Sequence, residues 1–147
     1  MSSLTIINKA EQALQAALTQ QIGQIAPTMP VYYSDEQTIK AALPYVVIHV
    51  ENATETIGPG TGIYEIPVIV TFRDHVKADS QSFRDSIIAQ IHNFVYSAPT
   101  STLNAYSSSL GGFTVYGFKT IEVEIEANPD LKAYELRYKF VLVCMPR

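Results

Sequence analysis

Three histidines (His49, His75, His92), a single cysteine (Cys144) and a run of alternate glutamates (Glu122, Glu124, Glu126) are the side chains best equipped for chemistry in this 147-residue sequence. The histidines lack the His-x-x-x-His spacing and adjoining carboxylate of a metal-dependent hydrolase. His49 sits in a strand pattern and reads as a packed histidine, and His75 reads as a solvated turn residue. No Gly-x-Ser-x-Gly elbow occurs. Cys144 falls in an apolar run near a strand end, which describes a buried, inert thiol, and a lone cysteine excludes both an intrachain disulfide and a cysteine-based zinc site. Gly58-Pro59-Gly60-Thr61-Gly62 is rich in glycine but lacks the Gly-Lys-Ser/Thr ending of a phosphate loop, and no helix follows it. Strand carboxylates could be paired for glycosidase work in many ways, so they point nowhere. The residues predict no enzyme, no metal and no cofactor.

The glutamates have a simpler explanation in the elements that hold them. Ile121, Val123 and Ile125 alternate with Glu122, Glu124 and Glu126; after Asn128-Pro129-Asp130, Tyr134, Leu136, Tyr138, Phe140 and Leu142 alternate with Glu135, Arg137 and Lys139. Strand side chains point to opposite faces in turn, so the stretch from about Gly112 to Cys144 predicts an antiparallel hairpin with one buried and one wet face. Pairing Ile125 with Leu136, Val123 with Tyr138 and Ile121 with Phe140 keeps the apolar face continuous. It also sets Glu124 opposite Arg137 and Glu122 opposite Lys139. Such pairs contribute roughly 0.2–1 kcal/mol each, so the charges select the register more than they stabilise it. The glutamate face therefore reads as a pairing device rather than a metal site.

The rest of the chain supplies layers for that hairpin. Leu4 to about Ile25 predicts a helix with Ile7, Leu14, Leu18, Ile22 and Ile25 on its apolar side, Ser3 as N-cap, and Gly23, Pro27 and Pro30 at its end. Val31 to Tyr33 predicts a short strand, and Ser34 to Ala42 a turn or single helical turn. Tyr45 to Glu51 is apolar on both sides and reads as a central strand covered on both faces. Asn52 to Gly62 is a long loop able to reach a partner. Tyr64 to Arg73 is a strand whose Pro67 suggests an edge or a bulge. Ser80 to Ser97 predicts an amphipathic helix with Asp79 or Ser80 as N-cap, burying Phe83, Ile87, Ile88, Ile91, Phe94 and Val95. Thr100 to Gly111 is a Ser/Thr-rich connection. The fold class is α+β: a mainly antiparallel sheet of four to five strands, with an N-terminal helix and a second amphipathic helix packed on it.

Hydrophobic residues make up 47% of the chain and charged residues 16%, which describes a foldable globular chain. A formal net charge of -4 without any Lys/Arg cluster argues against a free-standing nucleic-acid binder. The first residues lack the basic and apolar regions of a signal peptide, and no segment is apolar enough to span a membrane. The expectation is a soluble, unexported chain, with its lone thiol suited to a reducing cytoplasm.

The sequence resembles the tail terminator family of tailed bacteriophages. The features that carry the resemblance are the N-terminal helix, the strand Leu43-Pro44-Tyr45-Val46-Val47-Ile48, and the Gly-rich loop before Tyr64-Glu65-Ile66-Pro67-Val68-Ile69-Val70. They continue with the helix opening Ser80-Gln81-Ser82-Phe83-Arg84 and the closing strand Ala133-Tyr134-Glu135-Leu136-Arg137-Tyr138-Lys139-Phe140. The resemblance implies one tail-terminator-like domain over residues 1–147. The expected assembly is a ring homo-oligomer, a hexamer, that caps the tail tube and ends its polymerisation. Its expected partners are other copies of itself, the tail tube protein and the head–tail connector or stopper protein. DNA would pass through the ring without sequence-specific binding, and no membrane is involved. The expected location is the virion neck, after assembly in the host cytoplasm. Head–tail stoppers and other neck adaptors share the size and style, and a small intracellular α+β enzyme or ligand-binding domain is the reading from a different class. The residues expected at subunit or partner interfaces are Ile57, Gly58, Pro59, Gly60, Thr61 and Gly62 in the first loop, and Tyr106, Ser107, Ser108 and Ser109 in the second. Glu122, Glu124, Arg137 and Lys139 on the hairpin complete the set.

Overall fold

In a computed structural model of the chain, residues 3–32, 43–55, 62–75, 81–96, 103–104, 113–128 and 133–146 are described. Two helices, α1 (Ser3–Gly23) and α2 (Gln81–Tyr96), accompany six strands: β1 (Val31–Tyr32), β2 (Tyr45–Val50), β3 (Thr54–Glu55), β4 (Tyr64–His75), β5 (Phe113–Asn128) and β6 (Ala133–Pro146). The sheet runs β1-β2-β4-β6-β5, with β3 attached to β4. Every pairing is antiparallel except β1 with β2. The class is α+β as expected, but the sheet has more than four to five strands. Among the described strands the unexpected one is β3, only two residues long and too short to leave a periodic signal, whereas β1 falls on the short strand expected at Val31 to Tyr33.

One strand parity builds the core. Val46, Ile48 and Val50 of β2, Ile66, Val68, Val70 and Phe72 of β4, and Leu136, Tyr138, Phe140, Leu142 and Cys144 of β6 are all buried in a single cluster. Both helices contribute to that same cluster and touch through a hydrogen bond from Gln21 Nε2 to Gln90 Oε1 of 2.6 Å. They therefore lie side by side on one face of the sheet, as two-layer packing of amphipathic elements requires. The α1 stripe is Ile6, Ala10, Ala13, Leu14, Ala17, Leu18 and Ile22, whereas Ile7 is only half-buried and Ile25 is exposed. Small alanines let the helix approach the sheet closely. Gln15 fixes its position by donating from Nε2 to the Val31 carbonyl at 2.8 Å. The α2 stripe is as expected, with Ile87, Ile91, Phe94 and Val95 buried and Phe83 and Ile88 packed at its margin. Phe94 leans on Phe118, which stacks on Phe140 with centroids 4.3 Å apart.

The closing hairpin has the expected register over its turn half: Ile125 opposite Leu136, Glu124 opposite Arg137, Val123 opposite Tyr138 and Glu122 opposite Lys139. Beyond that point the register shifts twice, between Lys119 and Glu122 and between Val115 and Gly117. Each shift sets two β5 residues against one of β6, which is the arithmetic of a β-bulge. Ile121 consequently has no simple pairing with Phe140, contrary to expectation. Each bulge also flips the parity of β5, so Val115, Phe118 and Val123 share the helix-bearing side despite their odd spacings, although Val123 is exposed rather than buried as expected.

Pro67 is not at an edge. It lies in β4, between β2 and β6, in register with Val141. In an antiparallel strand a residue's N–H and C=O face the same neighbour. The Pro67 carbonyl accepts from Glu51 N at 3.2 Å, so its missing donor also faces β2. The β2 register ends one residue earlier, at Val50 opposite Val68. The proline thus ends β2 from across the ladder, at the cost of one return hydrogen bond.

The Ser34–Ala42 turn and the Asp79 or Ser80 cap lie outside the described residues, as does the Ser3 side chain. The Leu43-Pro44 peptide is cis. Within the second connection, Leu103 is fully buried. Asn104 bonds both backbone groups of Val115: its Nδ2 donates to the carbonyl at 3.0 Å and its Oδ1 accepts from the amide at 2.6 Å. A side-chain amide here substitutes for a neighbouring strand at the sheet edge.

Replacing Phe140 by Ala removes the stacking partner of Phe118 from a fully packed site. It should lower unfolding stability by about 3–5 kcal/mol in urea titration; a cost below about 1 kcal/mol would contradict the packing described.

Candidate functional site

The face of the sheet away from the helices carries the other parity: Tyr45, Val47 and His49 of β2, Glu65, Pro67, Ile69, Thr71 and Arg73 of β4, and Glu135, Arg137, Lys139, Val141 and Val143 of β6. One corner of it, Tyr45, Val47, Thr71 and Glu135, is buried. The remainder is accessible: His49, Lys119 and Glu122 are exposed, and Pro67, Ile69, Val141 and Val143 are half-buried. No described helix or strand lies over it. The expectation that β2 is covered on both faces therefore holds for Tyr45 and Val47 but not for His49.

Ion pairs cross this face from strand to strand. Arg73 Nε is 3.1 Å from Glu135 Oε1 and its guanidinium donates to the Tyr45 hydroxyl at 3.1 Å. Arg137 holds the other Glu135 oxygen at 2.6 Å and approaches Glu124 at 3.8 Å. Lys139 Nζ donates to Glu124 Oε1 at 3.0 Å. Lys119 of β5 pairs with Glu65 of β4, reaching across β6. Glu135 is only 6% exposed, so its two arginines offset a desolvation cost as well as setting geometry. The wet face of the hairpin is not uniformly wet, because strand alternation reports direction and not depth.

The expected interface residues divide in three. Glu122, Glu124, Arg137 and Lys139 are brought together on this face, with Glu124 shared between Arg137 and Lys139. Lys139 bonds the diagonal neighbour Glu124 rather than Glu122 directly opposite. Gly62 lies at the base of the first loop, where its φ of 76° calls for glycine and its amide donates to Glu55 Oε2 at 3.2 Å. Ile57, Gly58, Pro59, Gly60 and Thr61, with Tyr106, Ser107, Ser108 and Ser109, lie outside the described residues. Part of the Asn52–Gly62 loop is strand: Thr54 and Glu55 pair with Glu65 and Tyr64.

The remaining chemical candidates lie on other elements or on the core side of the sheet. His92 of α2 is exposed, tilted over Tyr96 and edge-on to Tyr138. Cys144 is fully buried, and burial pushes its thiol from 9.0 up to about 12. Glu11 on α1 is raised by partial burial, with His49 opposing the shift. Asp74 is buried at the end of β4, one oxygen accepting from the His75 amide at 2.7 Å and the other without a hydrogen-bond partner among the described residues. A groove of about 480 Å3 is lined by Ile25, Pro27, Met29, Pro30, Pro44 and Phe83. It lacks the convergent polar groups of a reaction site. Among the described residues no three His, Cys, Asp or Glu side chains lie close enough to share a metal ion, and no helix is long and apolar enough to cross a membrane.

No protein-family model matches the chain, and no curated protein sequence matches it significantly.

Two measurements follow from the geometry. Glu135→Ala strips a buried acceptor from two partly exposed arginines and should cost about 2–3 kcal/mol, below the range for a fully buried pair because solvent screens the arginines; a thermal melt at neutral pH reads it, and no change would contradict the network. The Cys144 thiol should react with a thiol-specific disulfide reagent only after denaturation. Because its folded pKa lies above the unfolded one, its contribution to stability is fully present below pH 9 and is lost as pH rises toward 12. Rapid modification of the native chain would contradict its burial.

Proposed function

We propose that the chain is a structural protein of a tailed-phage neck. In this reading it assembles as a hexameric ring, caps the tail tube, and offers a surface to the head connector while DNA passes through. The observation that carries it is the second face of the sheet, where interlocked ion pairs surround half-buried apolar side chains and no described element lies above them. A surface of that kind suits contact with another protein, since apolar side chains supply area and the charged rim supplies orientation. The element order on which the family resemblance rests supports the same reading: α1, then β2, β4, α2 and the β5–β6 hairpin.

The engaged state of the cations on this face also suits a DNA conduit. Arg73, Lys119, Arg137 and Lys139 each contact a carboxylate, and phosphate attraction depends on cations free to displace counterions. Rings are built from heterologous contacts that close, so two different patches on each copy must meet.

Light scattering and negative-stain microscopy of the purified chain test the proposal. The expected result is a ring, and Val143→Arg on the second face should convert it to a monomer with unchanged circular dichroism. A wild-type chain that stays monomeric and does not bind tail-tube ends would overturn it.

A further inference from the structure

One groove on the second face is complementary to a specific kind of side chain. It measures about 240 Å3, several times a water molecule's share of about 30 Å3. Pro67 and Ile69 of β4 and Val141 of β6 form its apolar floor, and Glu51, Glu122 and Lys139 its rim. Pro67 sets one wall, because it ends β2 and lets Glu51 leave the ladder there. The bulge between Lys119 and Glu122 sets the other, by re-aiming the chain at the point where Glu122 resumes pairing.

The charges at the rim are unequal. Lys139 is engaged with Glu124, and Lys119, in the register row of Pro67 and Val141, is engaged with Glu65. Glu51 and Glu122 are exposed, and among the described residues neither carboxylate has an ionic or hydrogen-bonding side-chain partner. Every cation bordering the groove is thus offset, and two carboxylates are left over on either side of an apolar floor. A long side chain with a methylene stem and a cationic head fits both features, the stem on Pro67, Ile69 and Val141 and the head between the glutamates. Nucleic acid does not fit, since its phosphates would face the surplus carboxylates.

We infer that this groove receives an arginine or lysine side chain from a protein partner other than a second copy of the chain. Six of the ten cations of a second copy are described, and each is engaged: Arg73, Lys119, Arg137 and Lys139 in the pairs above, Arg84 over the Tyr134 ring, and Lys9 with a partner of its own; Lys40, Lys77, Lys132 and Arg147 lie outside the described residues, so the test below carries an arm for a second copy. The assignment rests on the second face being an assembly surface, and it names the chemistry of what docks there.

The test uses the full chain with labelled Ile and Val methyl groups and two capped pentapeptides, one centred on arginine and one on citrulline, its neutral isostere. The arginine peptide should produce saturable shifts at Ile69 and Val141. Affinity should fall by about tenfold for the citrulline peptide, and by a similar factor for the arginine peptide on Glu51→Gln/Glu122→Gln. Absence of saturation, equal binding of the two peptides, or an unchanged double variant would each overturn the assignment. Loss of wild-type self-association in the double variant would make a second copy the occupant and overturn it as well. A chain that binds the arginine peptide but forms no ring refutes only the ring, and a ring-forming chain indifferent to the peptide refutes only the groove.

Discussion

Strand β6 is hydrogen-bonded along its length to β4 on one side and β5 on the other, and every core residue it contributes points to the same face. Both helices sit on that face. A sheet covered in this way must make its other face tolerable to water or to a partner with its own side chains. The ion pairs from Arg73 through Glu135, Arg137 and Glu124 to Lys139 do this. They run across β4, β6 and β5, so each pair except Glu135 with Arg137, which lies within β6, also fixes how one strand lies beside the next. A slip by one residue would break the pairs and turn the apolar parity outward together.

The same constraint explains why the sheet edge and strand ends need specific devices. Among the described strands β5 is the outer one, and it is 16 residues long, a length of edge that invites uncontrolled pairing. Asn104 covers Val115, two bulges break the straight run, and Lys119 and Glu122 charge it. At the opposite side, Pro67 ends β2 without being in β2. These features shape the second face as well, because the bulge and the proline produce the two walls of the groove between Glu51 and Glu122.

The register of the turn half of the hairpin was legible because two patterns agreed, apolar with apolar and Glu with Arg or Lys. The bulges were less visible, although a signal exists. Val115 and Phe118 pack on the core three residues apart, and an odd spacing in a strand means a phase slip. The alanine face of α1 was hidden because a search for large apolar residues favours Ile7 and Ile25 over Ala10, Ala13 and Ala17. Pro67 was misplaced by a rule about donors that does not say which neighbour the missing donor faces. Of the candidate site, the four hairpin charges could be read from alternation alone. Glu51, Pro67 and Ile69 could not, since only the β2–β4–β6 pairing brings them beside Glu122. The buried state of Glu135 was likewise invisible, because its depth depends on Arg73, 62 positions away.

The central claim is that the second face of the sheet is the assembly surface, and carboxyl labelling with a water-soluble carbodiimide, read by mass spectrometry, tests it directly. On going from the free chain to the ring, Glu65 and Glu124 should become protected while Asp85, exposed on α2, stays reactive. Unchanged labelling of those glutamates in the assembled state, with protection appearing on α2 instead, would contradict the account.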